Sequence, residues 1–235
     1  MGSERAEQAK QKGHALSQSE IVAKLNTIPV FVVLNGDNNA VSIRDESSSA
    51  ESIFWHIDPG TAKAHLDVVI AQSPSVPGLH LGAMSLGVAF PLAAGWAGAA
   101  QQAHAGDAGR VADVQAPTLR HAIVFPNPVA DVTMPIFLCD QLQTPMALPI
   151  FFDRRDLALA WVASGRKKED FVEADNLMVV DLRRFIDDLQ TDKYALWSTV
   201  QFVPSGAAVA VLKSQQKDAA QRAANGDDPP ALASS

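Results

Sequence analysis

Apolar residues fall along this chain in short runs, each closed by a turn residue, a helix cap or a proline. Residues 1–20 are polar and read as a flexible tail, and Ser19 to Leu25 predicts a helical turn or two with Ser19 as cap. Ile28-Pro29-Val30-Phe31-Val32-Val33-Leu34 is the first clear strand, since β-branched and aromatic residues favour extended backbone. Asn35 to Asn39 is a turn of residues that tolerate positive φ, and Ala40 to Ile43 is the returning arm of a hairpin. Arg44 to Glu51 is a charged, Ser-rich loop. Ile53 to Ile57 is the next strand. Asp58 then caps a helix opened by Pro59, with Ala62, Leu66, Val69 and Ile70 as its buried face. Pro74, Pro77 and Gly78 end that helix. Leu79 to Met84 is a strand, and Ser85 caps a short helix stopped by Pro91 and Gly95. Gly95 to Thr118, rich in Ala, Gly and Gln, reads as a linker.

His121 to Phe125 is a strand closed by Pro126, and Asn127 to Val132 is a short helix or turn. Met134 to Leu138 opens the second half. Leu148 to Phe152 is an apolar strand that runs directly into a helix. Asp153 is its N-cap, and Asp156 places negative charge in the first turn, where the helix dipole favours it. Leu157, Ala160 and Trp161 make one face, but position i+7 is Ser164, so that face is short. Arg166 to Glu169 is a solvated loop. Leu177 to Val180 is a strand, Asp181 a cap, and Leu182, Phe185, Ile186 and Leu189 another helical face. Val200 to Val203 is the last strand, ended by Pro204, and disorder is expected from Lys213 onward.

The two halves repeat one order of elements. Ile28-Pro29-Val30-Phe31 matches Met134-Pro135-Ile136-Phe137, and Trp55-His56-Ile57-Asp58 matches Ile150-Phe151-Phe152-Asp153. Met84-Ser85-Leu86 matches Val180-Asp181-Leu182, and Val124-Phe125-Pro126 matches Phe202-Val203-Pro204. A matched series of strands, caps and stops points to a duplicated unit. The expected fold is α/β, with two pseudo-symmetric strand-rich repeats and packed helices in a single compact unit. The expected divisions are a tail at 1–20, repeats at about 25–118 and 119–212 within a domain of 21–212, and a disordered tail at 213–235.

Composition removes several functions. The net charge of −7 leaves no basic field for a nucleic-acid backbone or an anionic membrane. One cysteine, Cys139, excludes an internal disulfide framework, and its apolar neighbours make it a buried small hydrophobe. Residues Met1 to Arg5 start no signal peptide, which leaves open whether a targeting peptide was removed. No Asp, Glu, Lys or Arg occurs from Val68 to Gly106. Within that stretch Leu79 to Ala100 is long enough to span a bilayer, but Pro91, several glycines and His80 oppose a span. A deeper core or an apolar partner surface explains it better.

The six histidines are scattered with no metal-ligand spacing, although His56 and His65 come near one helix start. No Gly-rich phosphate loop is present, and Ser205-Gly206 lacks the pattern of a nucleophile elbow. Asp153 and Asp156 are better used by a helix N-terminus, and Asp187-Asp188 as a solvated face. The residues therefore assign no catalytic group, no cofactor and no metal.

Ile28-Pro29-Val30-Phe31, Met134 to Asp140, Pro149 to Phe152, Asp156-Leu157-Ala158, Met178 to Leu182 and Phe202 to Ser205 resemble the Tic-twenty-two-like proteins of chloroplasts and cyanobacteria. The similarity spans most of residues 25–212. Its departures are the Ala/Gly-rich linker, His56 in an otherwise apolar strand end, and the Pro-rich passage after Ile70. The resemblance implies a non-enzymatic chaperone or adaptor of preprotein transport in the chloroplast intermembrane space, peripheral to the membrane at most. It implies apolar grooves for precursor proteins, and outer and inner envelope translocon subunits as partners. Candidate partner-binding residues are Phe54, Trp55, Phe90, Trp96, Phe151 and Phe152, although strand aromatics also fill cores. The alternative, motivated by the uncharged stretch, is a structural subunit of a larger plastid membrane-associated assembly.

Overall fold

The computed structural model describes residues 14–44, 50–96, 119–126, 129, 131–171, 177–191 and 195–225. Among these, six helices and two sheets form a mixed α/β structure. Sheet one contains β1 (Pro29–Leu34), β2 (Ile43–Arg44), β3 (Glu51–His56), β4 (His80–Ser85) and β5 (Leu119–Val124). β4 and β3 flank β1 as antiparallel neighbours, β5 lies parallel on β3, and β2 adds to the start of β3. Sheet two contains β6 (Pro135–Leu138), β7 (Leu148–Phe151), β8 (Met178–Asp181) and β9 (Val200–Val203). Here β8 and β7 flank β6 as antiparallel neighbours, and β9 lies parallel on β7.

The two sheets thus follow one strand plan, and their antiparallel registers coincide. Phe31 faces His56 as Phe137 faces Phe151, and Pro29 faces Ser85 as Pro135 faces Asp181. The last sequence match is shifted by one residue. His56 pairs with Val124 while Phe151 pairs with Val203, so Val203 stands opposite Val124 and not Phe125. The sequence match aligns the two prolines, whereas the ladder sets Pro204 with Phe125. Because β5 belongs to sheet one, that sheet extends past the division expected at 118/119; the chain changes sheets between Val124 and Pro135.

Alternation along the strands sends successive side chains to opposite faces. Val30, Val32, Ile53, Trp55 and Ile123 of sheet one share a single core cluster with Ile136, Leu138, Ile150, Val200 and Phe202 of sheet two. Three helices complete it: α1 (Gln18–Leu25), α3 (Leu86–Ala94) and α5 (Leu182–Thr191). α1 starts at Ser17, where the Glu20 N–H donates to Ser17 Oγ (3.3 Å) and the Ser17 N–H donates to Glu20 Oε2 (2.8 Å). The Ser-x-x-Glu spacing selects Ser17 over the expected Ser19 as cap. Pro91 does not stop α3 but sits inside it, and Gly95 ends the helix with a φ of 67°. Gly87 brings α3 against α1, since a Cβ there would meet Val22 O at 2.7 Å. α5 buries Leu182, Phe185, Ile186 and Leu189, as its period requires. Asp181 at its start accepts from the Arg183 N–H (2.9 Å) and the Met134 N–H (3.1 Å), tying this helix to β6.

The outer faces have separate covers. On sheet two, Leu157 and Trp161 of α4 (Arg154–Ala163) pack on Phe137, Cys139 and Phe151. On sheet one, Phe31 packs with Ala62 of α2 (Pro59–Gln72) and Ala208 of α6 (Gly206–Asn225). α2 buries Ala62 and Val69, but Ile70 is 45% exposed, contrary to its expected place on the buried face. α6 overturns the disorder expected from Lys213: Ala, Gln and Lys are strong helix formers, and the helix continues to Asn225. The helix-or-turn expected over Asn127 to Val132 is, in its described part, a Val129–Val132 bridge. The linker expected at 95–118 lies almost wholly outside the described residues. No described helix is long and apolar enough to cross a membrane. The described part of the uncharged stretch forms the end of α2, β4 and α3, with Leu86, Ala89 and Phe90 in the core.

Candidate functional site

The junction of β7 and α4 creates an apolar cleft. Asp153 accepts from the Arg155 N–H (2.7 Å), which fixes the turn after Phe152. That turn leaves Phe152 beside Phe125, with ring centroids 6.2 Å apart, and beside Phe202 at 5.9 Å. Between this aromatic group and the outer face of sheet two lies a cleft of about 340 Å³. Phe125, Pro126, Val129, Phe137, Phe152, Leu177 and Val179 supply its apolar lining, and Asp153, Arg154 and Arg155 its polar mouth. α4 is only ten residues long and its buried side chains, Leu157 and Trp161, reach Phe151 and Cys139. Among the described residues, no helix covers the sheet near β8. Val129 is 38% exposed and Met178 46%, so the cleft opens among apolar surface.

A second cavity of about 400 Å³ lies between α3 and α5. Phe90 and Trp96 meet edge to face there, 5.6 Å apart, opposite Arg183, Ile186, Asp187 and Gln190. Its charged side makes it less suited to an apolar ligand.

The six candidate aromatics do not form one surface. Trp55 is fully buried in the central core, so it lines no groove. Phe151 is buried under α4, which removes it as well. Both follow from strand parity: each sits in the middle of a sheet covered on its own side. Phe54 points the other way from Trp55 and meets the His65 ring edge-on at 5.4 Å, partly exposed. Phe90 is buried and Trp96 partly exposed, and the fold brings these two together. Phe152 is as buried as Phe151 and belongs to the central core, but it alone of the six reaches the wall of the apolar cleft. Phe125, Phe137, Leu177 and Val179 were readable as strand residues, but nothing local marks the face left uncovered. The short apolar face of α4, cut off at Ser164, was the available signal.

Ionisable side chains take structural places. Asp156 Oδ2 accepts from the Gly206 N–H (3.1 Å), joining α4 to the start of α6, and burial pushes its carboxyl above the usual range. His56 Nε2 lies 2.8 Å from His65 Nδ1. Burial, then the neighbouring His65, lowers the His56 pKa to about 4. The Trp55 Nε1–H donates to His121 Nδ1 (3.2 Å), and burial lowers the His121 pKa. Among the described residues, no group of three or more His, Cys, Asp or Glu side chains is placed to hold a metal ion.

No family model matches the chain, and no curated protein does. Solved structures do. The chain is similar to Tic22 from Plasmodium falciparum, with a TM-score of 0.61 and 17% identity over 84% of this chain and 98% of that one. It is similar to Anabaena Tic22, described as a protein-transport protein, with a TM-score of 0.54 and 15% identity over 85% and 97% of the two chains. At this identity the likeness establishes the fold, which is Tic22-like.

Proposed function

We propose that this protein is a non-enzymatic chaperone or adaptor of protein transport, which holds apolar segments of unfolded precursors in the cleft beside Phe152. One observation carries the reading: an apolar cleft, lined by β6, β8 and the residues that follow β5 and β7, on a Tic22-like fold. A cleft of about 340 Å³ takes one large side chain. Burying such a side chain contributes about 1.5–3 kcal/mol. The cost of ordering the client offsets much of that, which leaves weak and reversible binding. A transport component needs that weakness, because it must release what it holds. In keeping with the fold, the site of action is a plastid or cyanobacterial envelope, with the chloroplast intermembrane space as the finer assignment. Precursors and translocon subunits are the partners.

The test is fluorescence anisotropy of labelled, unfolded precursor segments. Several unrelated apolar segments should bind with similar affinity, and Leu177→Asp and Val129→Asp should each weaken them all. Tight binding of a small metabolite without peptide binding overturns the proposal. The alternative, a structural subunit, rests on exposed Val68 and Ile70 of α2 and Leu159 and Val162 of α4. It predicts fixed-stoichiometry co-purification that the cleft variants leave unchanged.

A further inference from the structure

Sheet edges carry backbone hydrogen-bonding groups that proteins usually cover or block. Two edges of this fold are capped. At β9, the Lys24 ammonium donates to Val200 O (2.9 Å) and Thr27 Oγ1 to Phe202 O (3.4 Å). At β4, Gln215 Nε2 donates to Leu81 O (3.4 Å). β8 is different. It pairs with β6 on one side, and no described strand or side chain bonds its other side.

The direction of its backbone groups follows from the ladder. The Leu182 N–H donates to Met134 O (2.8 Å), so even-numbered residues of β6 face β8 and odd ones face β7. Ile136 and Leu138 therefore complete the ladder with Val180 and Met178. The N–H and C=O of Val179 point away from the sheet. On the outer face, the side chain of the same Val179 forms a wall of the apolar cleft, beside Leu177 and Phe137. Edge and cleft are thus adjacent. An open edge calls for an extended backbone, and a pocket beside it calls for one side chain out of every two.

The geometry points to strand addition at β8: an extended segment of a partner polypeptide pairs with Val179 and places one large apolar side chain in the Phe125–Phe137–Phe152 cleft. This inference rests on the binding role proposed for the cleft and adds how the backbone is held. It makes recognition tolerant of sequence, because the backbone bonds are the same for any segment. It also sets two requirements, an apolar residue at one position and no proline at the positions whose N–H faces β8.

The probe is a fluorescein-labelled heptapeptide, Thr-Val-Thr-Phe-Thr-Val-Thr, titrated with the full chain. A set of peptides each carries one backbone N-methyl group. Methylation should weaken binding about tenfold at alternate positions and less than about twofold at those between, a difference of about one edge hydrogen bond. On the protein side, Val179→Pro removes the outward N–H, which an edge strand tolerates, and also alters the side chain in the cleft wall. Val179→Ala, which alters the wall and keeps the N–H, is the control and should weaken the probe less. Val179→Pro should weaken the unmethylated probe about tenfold while leaving the thermal midpoint nearly unchanged. If that variant unfolds, the methylated peptides still decide. Binding that is lost in Leu177→Asp but indifferent to N-methyl position overturns strand addition and leaves the cleft in place. No binding of any probe overturns both.

Discussion

Replacing His56 with Phe should make this fold markedly less sensitive to acid. His56 is 5% exposed at the end of β3, with Nε2 on His65 and no hydrogen-bond partner at Nδ1 among the described residues. Its folded pKa of about 4 lies below the ordinary 6.5. The unfolded chain therefore binds the proton more tightly. The stability that His56 contributes is fully present above pH 6.5 and is lost as the pH falls towards 4. Between those limits the loss approaches 2–3 kcal/mol, at about 1.4 kcal/mol per pH unit. His65 and His121, also lowered by burial, add in the same direction. Phe is the natural replacement because Phe151 takes the matching place opposite Phe137. Urea unfolding at pH 7.5, 6.5, 5.5 and 4.5 should show the wild-type midpoint falling about 1 M further than that of His56→Phe over this range. The variant also loses the bond to His65, so the comparison concerns slopes and not absolute stability. Parallel pH profiles for the two proteins would refute the reasoning.

Other perturbations have equally direct readouts. Gly87→Ala should cost about 1–3 kcal/mol in urea unfolding, because its methyl group would press on Val22 O and Asn26 where α3 crosses α1. Ser17→Ala should cost about 1 kcal/mol, seen as a lowered melting midpoint, by removing the side-chain half of the α1 capping box. Asp156→Ala removes the acceptor for the Gly206 N–H. It should cost about 1 kcal/mol and raise amide exchange over residues 206–212 relative to α5.

The elements decided by near neighbours were legible in the sequence. Asp153 caps α4, Leu182 to Leu189 bury one helical face, and Pro29 and Pro135 open matching strands, because caps and periods are set within a few residues. Long-range facts were not. Strand parity tells that Phe151 and Phe152 face opposite ways, but not which of the two reaches an open cleft. The one-residue shift of β9 against β5 was hidden because Phe125 and Val203 are equally good strand residues. From Lys213 the composition of α6 suits both a disordered tail and a surface helix, and only continuity with the packed turn at Ala208 and Val211, and the Gln215 bond to Leu81 O, separates them. The resemblance is strongest in the second half, where the cleft lies, and its segments include Phe137 and Val179, but the candidate residues include Phe152 and not these two.

That same helix has a consequence for how the chain is made. Phe31, Leu81 and Ala83 lie on a face that α2 covers only in part, and the missing piece is Ala208 and Val211, from far downstream. On the ribosome, the first sheet can form its strands but cannot close its outer side until α6 has emerged. A nascent chain stalled before residue 206 would carry a sticky half-finished layer, of the kind that aggregates or engages chaperones. The order of synthesis thus makes the C-terminal helix the step that commits the first half to its final form.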